Sequence, residues 1–170
     1  IKIKDTLDVE TLIFTNLLAA IHNNCFKITS VLLKQPNIDV NIIGYRIFLS
    51  MAEITENALS LSIRKENIQI IRLLLLNEKL NFNEVLTDTR YYTNLQMDYA
   101  EYCPLFLAIS SNNTQMIREL LSHPNFDINK KIIFKKYQMG PSMELLQSLK
   151  RSFLHIAIIS NKDFLTRLLV

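Results

Sequence analysis

The sequence predicts an all-α solenoid, a stack of short helix–turn–helix units joined by long hairpin-like finger loops. Three observations predict it. A pattern of two apolar helical stripes around a polar turn recurs four times without gaps. Each stripe spans only about two to three turns, too short for a helix to be stable alone in water. The same residue types recur at fixed places in every copy, so each unit must bury its faces against its neighbours, as stacked repeats do.

The clearest copy is Cys103 to Asn129, CPLFLAISSNNTQMIRELLSHPNFDIN. Pro104 suits the first position of a helix, where its fixed φ fits and its missing N–H is not needed. Leu105, Ala108 and Ile109 follow with helical spacing. Ser110, Ser111, Asn112 and Asn113 interrupt the pattern, and asparagine tolerates the left-handed conformation that ends a helix. Met116, Ile117, Leu120 and Leu121 form a second stripe, which Pro124 terminates. Phe126 and Ile128 alternate with Asp127 and Asn129, which predicts a short extended tail.

The other copies are Thr15 to Asn41, Asn57 to Asn83, and Ser152 to Val170, the last ending inside its second helix. Leu17, Leu59, Leu105 and Leu154 share one position, and Ala20, Ser62, Ala108 and Ala157 share a second, always small. Leu32, Leu74, Leu120 and Leu169 share a third, and Asn41, Asn83 and Asn129 close the complete units. The small residue lets two helices approach closely, and the leucines line a continuous core. The chain is therefore expected to be one domain over 1–170, with units at 15–41, 57–83, 103–129 and 152–170 and fingers at 42–56, 84–102 and 130–151.

These units resemble the ankyrin repeat family. The residues that carry the resemblance are Pro104-Leu105, Leu154-His155, Ala19-Ala20, the Leu-Leu pairs at 32/33, 74/75 and 120/121, and the tails Asp39/Asn41 and Asp127/Asn129. The resemblance implies a helical solenoid acting mainly in protein–protein interaction. It also implies a concave face carrying Phe14, His22, Asn23, Glu56, Arg64, Lys65, Tyr102, Ser110, Ser111, Arg151, Ile159 and Ser160. The chain departs from the family in two ways. It has only two glycines, so Asn24, Asn112 and Asn161 stand at the turns, and Glu66 occupies one to which it is poorly suited. Its units start 42, 46 and 49 residues apart, against about 33 for the family, so the fingers are enlarged.

Length and composition fit one domain with a sizeable core: 170 residues, of which 49% are apolar. No apolar run reaches the roughly 18 residues of a membrane span, and no signal peptide is visible. Two cysteines, Cys25 and Cys103, provide no disulfide framework, so reduced thiols in the cytosol or nucleus are expected. The alternation in Ile1 to Lys4 suggests the end of an earlier finger, and the missing initiator Met suggests a fragment of a longer array.

Taken in order, the first finger offers an aromatic contact patch at Tyr45, Arg46 and Phe48; the alternative is that these residues cover the solenoid's own core. The second finger holds Tyr91, Tyr92, Tyr99 and Tyr102 and carries a net charge of −3, Glu84, Asp88, Asp98 and Glu101 facing Arg90 alone. Tyrosine gives a large contact area at low entropy cost, so this finger leads the candidate contact sites. The third finger carries Lys130, Lys131, Lys135, Lys136, Lys150 and Arg151 against Glu144, a net +5. With Phe134 and Tyr137, this cluster suits an acidic protein, a phosphate backbone or an anionic membrane. Gly140-Pro141 predicts a turn there, and Ser142 is expected to cap a short helix through Leu149.

Catalysis has no motif behind it, and no cofactor, metal or small-molecule substrate is expected. Gly44 and Gly140 lie too far apart for a phosphate-cradling loop. His22 and Cys25 are spaced for a metal but lack the further ligands zinc needs. His155 reads as structural, and His123 lies at a helix end where it meets the dipole. The partner-contact residues expected from the sequence are Tyr91, Tyr92, Tyr99, Tyr102, Arg64, Lys65, Tyr45, Arg46, Lys135, Lys136 and Tyr137. A protein partner of unknown identity leads. A spacer role within a longer array, or nucleic-acid or membrane binding through the basic finger, are the alternatives, and nucleic acid is disfavoured because no reading motif accompanies the charge.

Overall fold

The computed structural model describes residues 10–159. The expectations for Ile1 to Lys4, for Ser160, Asn161 and Leu169, and for the fourth unit's second helix lie outside these residues.

The helical units form as their sequences require. The first contributes α1 (Asn16–His22) and α2 (Phe26–Leu33), the second α3 (Ala58–Arg64) and α4 (Ile68–Leu75), and the third α5 (Pro104–Ser111) and α6 (Thr114–Leu121). The fourth contributes α7 (Phe153–Ile159). Pro104 opens α5. Asn57 and Ser60 cap α3 reciprocally: the Ser60 N–H donates to Asn57 Oδ1 and the Asn57 N–H donates to Ser60 Oγ, each at 2.8 Å. Asn67 and Asn113 cap α4 and α6 through the N–H groups of Ile70 and Met116. Cys25, at the same place before α2, makes no such side-chain bond.

The turns between paired helices are left-handed. Asn24, Glu66 and Asn112 have φ of 55°, 52° and 58°, the region that glycine enters most readily. First helices pack side by side, α1 on α3 and α3 on α5, and α2 packs on α4 behind them. Leu17, Leu59 and Leu105 are fully buried, as are Ser62 and Ala108 at the small position. Ser62 satisfies its hydroxyl by donating to the Leu59 carbonyl at 2.8 Å, so a polar residue fits where little space exists.

The tails of the units are runs of Asx turns, not extended segments. Asp39, Asn81 and Asp127 each accept the N–H two residues ahead, at 2.9, 3.1 and 2.9 Å. The closing asparagines then tie each unit to the next. Asn41 donates to the Lys79 carbonyl and accepts from the Asn81 N–H, both at 2.7 Å. Asn83 does the same at Asn125 and Asp127, at 2.7 and 2.9 Å.

The expectation of an all-α fold is wrong. The fingers are strands of one seven-stranded antiparallel sheet, ordered as in the sequence. Its strands are β1 (Glu10–Ile13), β2 (Gly44–Phe48), β3 (Ala52–Glu56), β4 (Leu86–Tyr91), β5 (Gln96–Tyr102), β6 (Lys131–Gln138) and β7 (Glu144–Ser152). Each finger is a hairpin, and the hairpins also pair with one another, β3 with β4 and β5 with β6. The reason lies in composition: the fingers alternate β-branched and aromatic residues with polar ones, as in Leu86-Thr87-Asp88-Thr89-Arg90-Tyr91. The unit spacing beyond the family length supplies the strand residues. The helix expected from Ser142 to Leu149 is likewise β7. Leu145, Leu146 and Leu149 have helical spacing, but pairing with β6 on both sides of a bulge at Leu146 satisfies the backbone instead.

Candidate functional site

Only the base of the sheet is packed into the core. Gly44, Glu56, Leu86, Tyr102 and Ile132 are buried near the helices, and exposure rises toward the hairpin tips, with Met97 a buried exception beside the second turn. Gly44 is required by close approach: a Cβ there would lie 2.7 Å from both Leu18 Cδ1 and Phe14 Cδ1 and 2.8 Å from the Ile13 carbonyl oxygen.

Cross-strand partners share a face, so the registers sort the finger residues. The inner face carries Arg46, Ile54, Asp88, Arg90, Asp98, Ala100, Tyr102, Phe134 and Lys136, and the outer face carries Tyr45, Ile47, Tyr91, Tyr99, Lys135 and Tyr137. Between the inner face and the first helices runs a groove of about 400 Å³. Tyr102, Phe106 and Phe134 make its apolar floor, with ring centroids 6.3 and 6.0 Å apart in sequence. Arg64, Leu107 and Ser110 form the helical wall, and Asp88, Arg90, Asp98, Lys136 and Tyr92 form the sheet side.

One end of the groove is closed by a buried ionic cluster. Glu56 is fully buried. Its Oε1 lies 2.6 Å from Arg64 Nε and 3.4 Å from Arg46 Nη1, and its Oε2 accepts from Ser60 Oγ at 2.6 Å. Arg64 donates to the Tyr102 hydroxyl at 3.1 Å, and that hydroxyl donates to the Thr55 carbonyl at 3.0 Å. Burial pushes the Glu56 carboxyl above its ordinary value, against the pull of Arg64, Ser60 and Arg46. Burial lowers the Arg64 value, and Glu56 with Tyr102 more than reverses this. The Tyr102 phenol is pushed well above its usual range, chiefly by burial and then by Glu56, so it remains a donor. Arg64 and Tyr102 are thereby held in place, each with one side turned to the groove.

The groove mouth is polar and balanced. Arg90 holds Asp88 through two 3.0 Å bonds, Tyr92 donates to Asp98 at 3.1 Å, and Lys136 lies 4.0 Å from the same carboxylate. The acidic second finger and the basic third finger thus sit side by side and face each other's charge. This arrangement suits a segment with an apolar side chain for the aromatic floor and polar groups for the rim.

The structure brings part of the expected contact set together. Arg64, Tyr92, Tyr102 and Lys136 meet at the groove, and Arg46 reaches its closed end through Glu56. Tyr102 is buried, so it forms floor rather than free surface. Tyr45, Tyr91, Tyr99, Lys135 and Tyr137 belong to the outer face by register, where Lys135 lies over the Tyr99 ring at 5.6 Å, and Tyr99 and Lys135 also border the groove. Lys65 is the C-cap of α3 and is not among the residues that line the groove. Phe106, Leu107, Asp88 and Arg90 escaped the sequence reading as contact residues. Strand alternation puts Asp88 and Arg90 on one face, but only the register shows that Tyr102 shares it; the helical spacing from Ser110 would have placed Phe106 and Leu107. The three histidines make structural contacts: His22 meets the Phe14 ring edge-on at 5.6 Å, His123 stacks on Phe82 at 4.0 Å, and His155 Nδ1 lies 2.7 Å from Ser152 Oγ. Among the described residues, no group of three or more His, Cys, Asp or Glu could hold a metal, and no helix is long and apolar enough to cross a membrane.

No curated protein and no solved structure matches the chain. The ankyrin repeat family model does match, over residues 101–130, which span the end of β5, the helices α5 and α6 and their Asx-turn tail. The resemblance to ankyrin repeats, which serve in general as protein-interaction modules rather than enzymes, is thereby shown for the unit that supplies Leu107 and Ser110 to the groove's helical wall.

Proposed function

We propose that the chain is a protein-interaction module that holds a segment of a partner protein in the groove between the inner face of the sheet and α3 and α5. The observation that carries this reading is the groove's construction: an aromatic floor of Tyr102, Phe106 and Phe134, flanked by the paired charges of Asp88, Arg90, Asp98 and Lys136. An apolar centre with a polar rim is the anatomy of protein interfaces. Arg64, Tyr92 and Lys136 contact the partner from the groove. Tyr45, Tyr91, Tyr99, Lys135 and Tyr137, on the outer face, form a second surface, while Arg46 acts from the closed end of the groove and Lys65 from the end of α3. Cys25 and Cys103 are free thiols, which fits a partner in the cytosol or nucleus.

The test places a photo-crosslinking amino acid at Ser110, on the groove wall, or at Gln115, on α6. Both positions are exposed. Irradiation in cell lysate is expected to give a discrete protein adduct at Ser110 that is lost with R90E and K136E, and none at Gln115. No adduct at Ser110 would sink the groove reading and favour a spacer within an array.

A further inference from the structure

The hairpin tips carry a second feature that the groove does not use. Residues 47–52, 91–97 and 137–143 contain no charged side chain. At the chain's 21% charged content, about four of those twenty positions would be charged, and exposed loop tips ordinarily hold more than their share. Each tip instead exposes large apolar residues: Leu49 (73% exposed) and Met51 (70%) on the first, Leu95 (60%) on the second, and Met143 (61%) on the third.

The three tips form one ridge. The Tyr91 N–H donates to the Met51 carbonyl at 3.3 Å, and the Met139 N–H donates to the Leu95 carbonyl at 2.6 Å. Neighbouring turns are therefore tied edge to edge at the free end of the sheet. Met51 and Leu95 hold φ of 59° and 60°, a conformation that glycine or asparagine adopts at less cost. At both turns, a bulky apolar residue stands where the backbone alone would favour a small one.

Behind the ridge, the order of residue types is the same on the second and third fingers, and on the first Ile47 and Phe48 stand in place of tyrosine. Tyr91, Tyr92 and Tyr137 lie just behind the leading Leu and Met residues. A collar of one basic and one acidic residue follows: Arg46 and Glu53, Arg90 and Asp98, Lys136 and Glu144. From Arg46 to Leu49 and from Leu95 to Asp98 is three residues, or roughly 10 Å of strand, whereas Glu144 directly follows Met143 on the third finger.

We propose that this ridge inserts into the interfacial zone of a lipid bilayer. Charge excluded from three separate loops matches hydrocarbon, where an ionised side chain is costly to bury. A protein surface would tolerate charge at its rim. Tyrosine behind the apolar front matches the headgroup level, where aromatic rings gather, and a depth of about 10 Å suits interfacial burial. The collar's charges cancel, so the lipid is recognised as an apolar interface and not as an anionic surface. Lys135 and Lys150 of the basic finger have no part in it.

The experiment is flotation of the whole chain with phosphatidylcholine vesicles at low and high salt. The chain is expected to float at both, and L49S, M51S and L95S combined are expected to reduce binding by about tenfold or more. These side chains are exposed, so folding should survive, and circular dichroism checks that it does. The chain contains no tryptophan, so L95W is a single reporter whose emission should shift to the blue with vesicles and be quenched by brominated lipid. Absence of flotation, flotation unchanged by the triple variant, or flotation abolished by salt would overturn the proposal. So would a dimer seen by sedimentation that the triple variant dissolves, since the ridge would then cover a second copy.

Discussion

In the helical layer, the same side chain recurs at the same place. Leu17, Leu59 and Leu105 are interchangeable, and so are the small residues Ala20, Ser62 and Ala108. In the sheet, matched positions are chemically unlike: the base pairs are Gly44 with Glu56, Leu86 with Tyr102, and Ile132 with Arg151. Helices touch through side chains, so close packing dictates which residue fits. Strands are joined through backbone groups, and their side chains are free to vary wherever the face is not buried. The helical layer therefore holds the repeat, and the sheet carries the differences from which a contact surface is made.

This contrast is broken most directly in the helical layer. L105A should cost about 2–5 kcal/mol, because the side chain is fully buried and leaves a cavity. Chemical denaturation measures it, and a loss below about 1 kcal/mol would mean that the layer is not close-packed there.

The buried cluster is the one place where the sheet should behave like the core. E56Q leaves Arg64 and Arg46 without their carboxylate partner. Their side chains keep 27% and 20% exposure, so the expected cost is about 2–3 kcal/mol, below the figure for a fully buried pair. The pH dependence has a definite sign. The Glu56 value is raised in the folded state, so the folded chain binds the proton more tightly than the unfolded chain. The contribution is fully present below the ordinary carboxylate value of about 4.5 and is lost as pH rises through the folded value. Denaturant midpoints across that window should fall for the native chain and flatten in E56Q.

The links between units should matter less than their cores. N83A removes two bonds to the backbone of the following unit and is expected to cost about 1–2 kcal/mol. Denaturation should also become less cooperative if the second and third units uncouple. The smallest effect is a gain. Glu66 holds φ of 52°, and E66G should stabilise the chain by roughly 0.5–1 kcal/mol through relief of that strain. Thermal unfolding would show it as a rise of a few degrees.

The helices were legible because their signal repeats. Pro104 marks a start, Asn112 and Asn24 mark left-handed stops, and Leu59 aligns with Leu105 without a gap. The strands were hidden by differing from finger to finger. Alternation in Lys131 to Gln138 is weakened by the adjacent pairs Ile132-Ile133 and Lys135-Lys136, and Leu145, Leu146 and Leu149 imitate helical spacing. Pairing between fingers adds hydrogen bonds that no single finger's sequence encodes. At the groove, Arg64 and Tyr102 were legible through the aligned units. Glu56 was placed on the concave face but not in a buried cluster, because burial of a carboxylate depends on two arginines, one of them in another strand. Asp88 and Arg90 became visible only once the register put them beside Tyr102.

The central claim is that the fingers fuse into one sheet and so build the groove's wall. Residue-resolved amide hydrogen exchange across β4 and β5 tests it most directly. In a fused sheet, each of these strands has a partner on both sides, so successive amides along it are all protected. If the fingers were separate hairpins, every second amide would face solvent and exchange rapidly. Continuous protection through Thr87–Tyr91 and Met97–Glu101 is the predicted result; alternating protection would contradict the account.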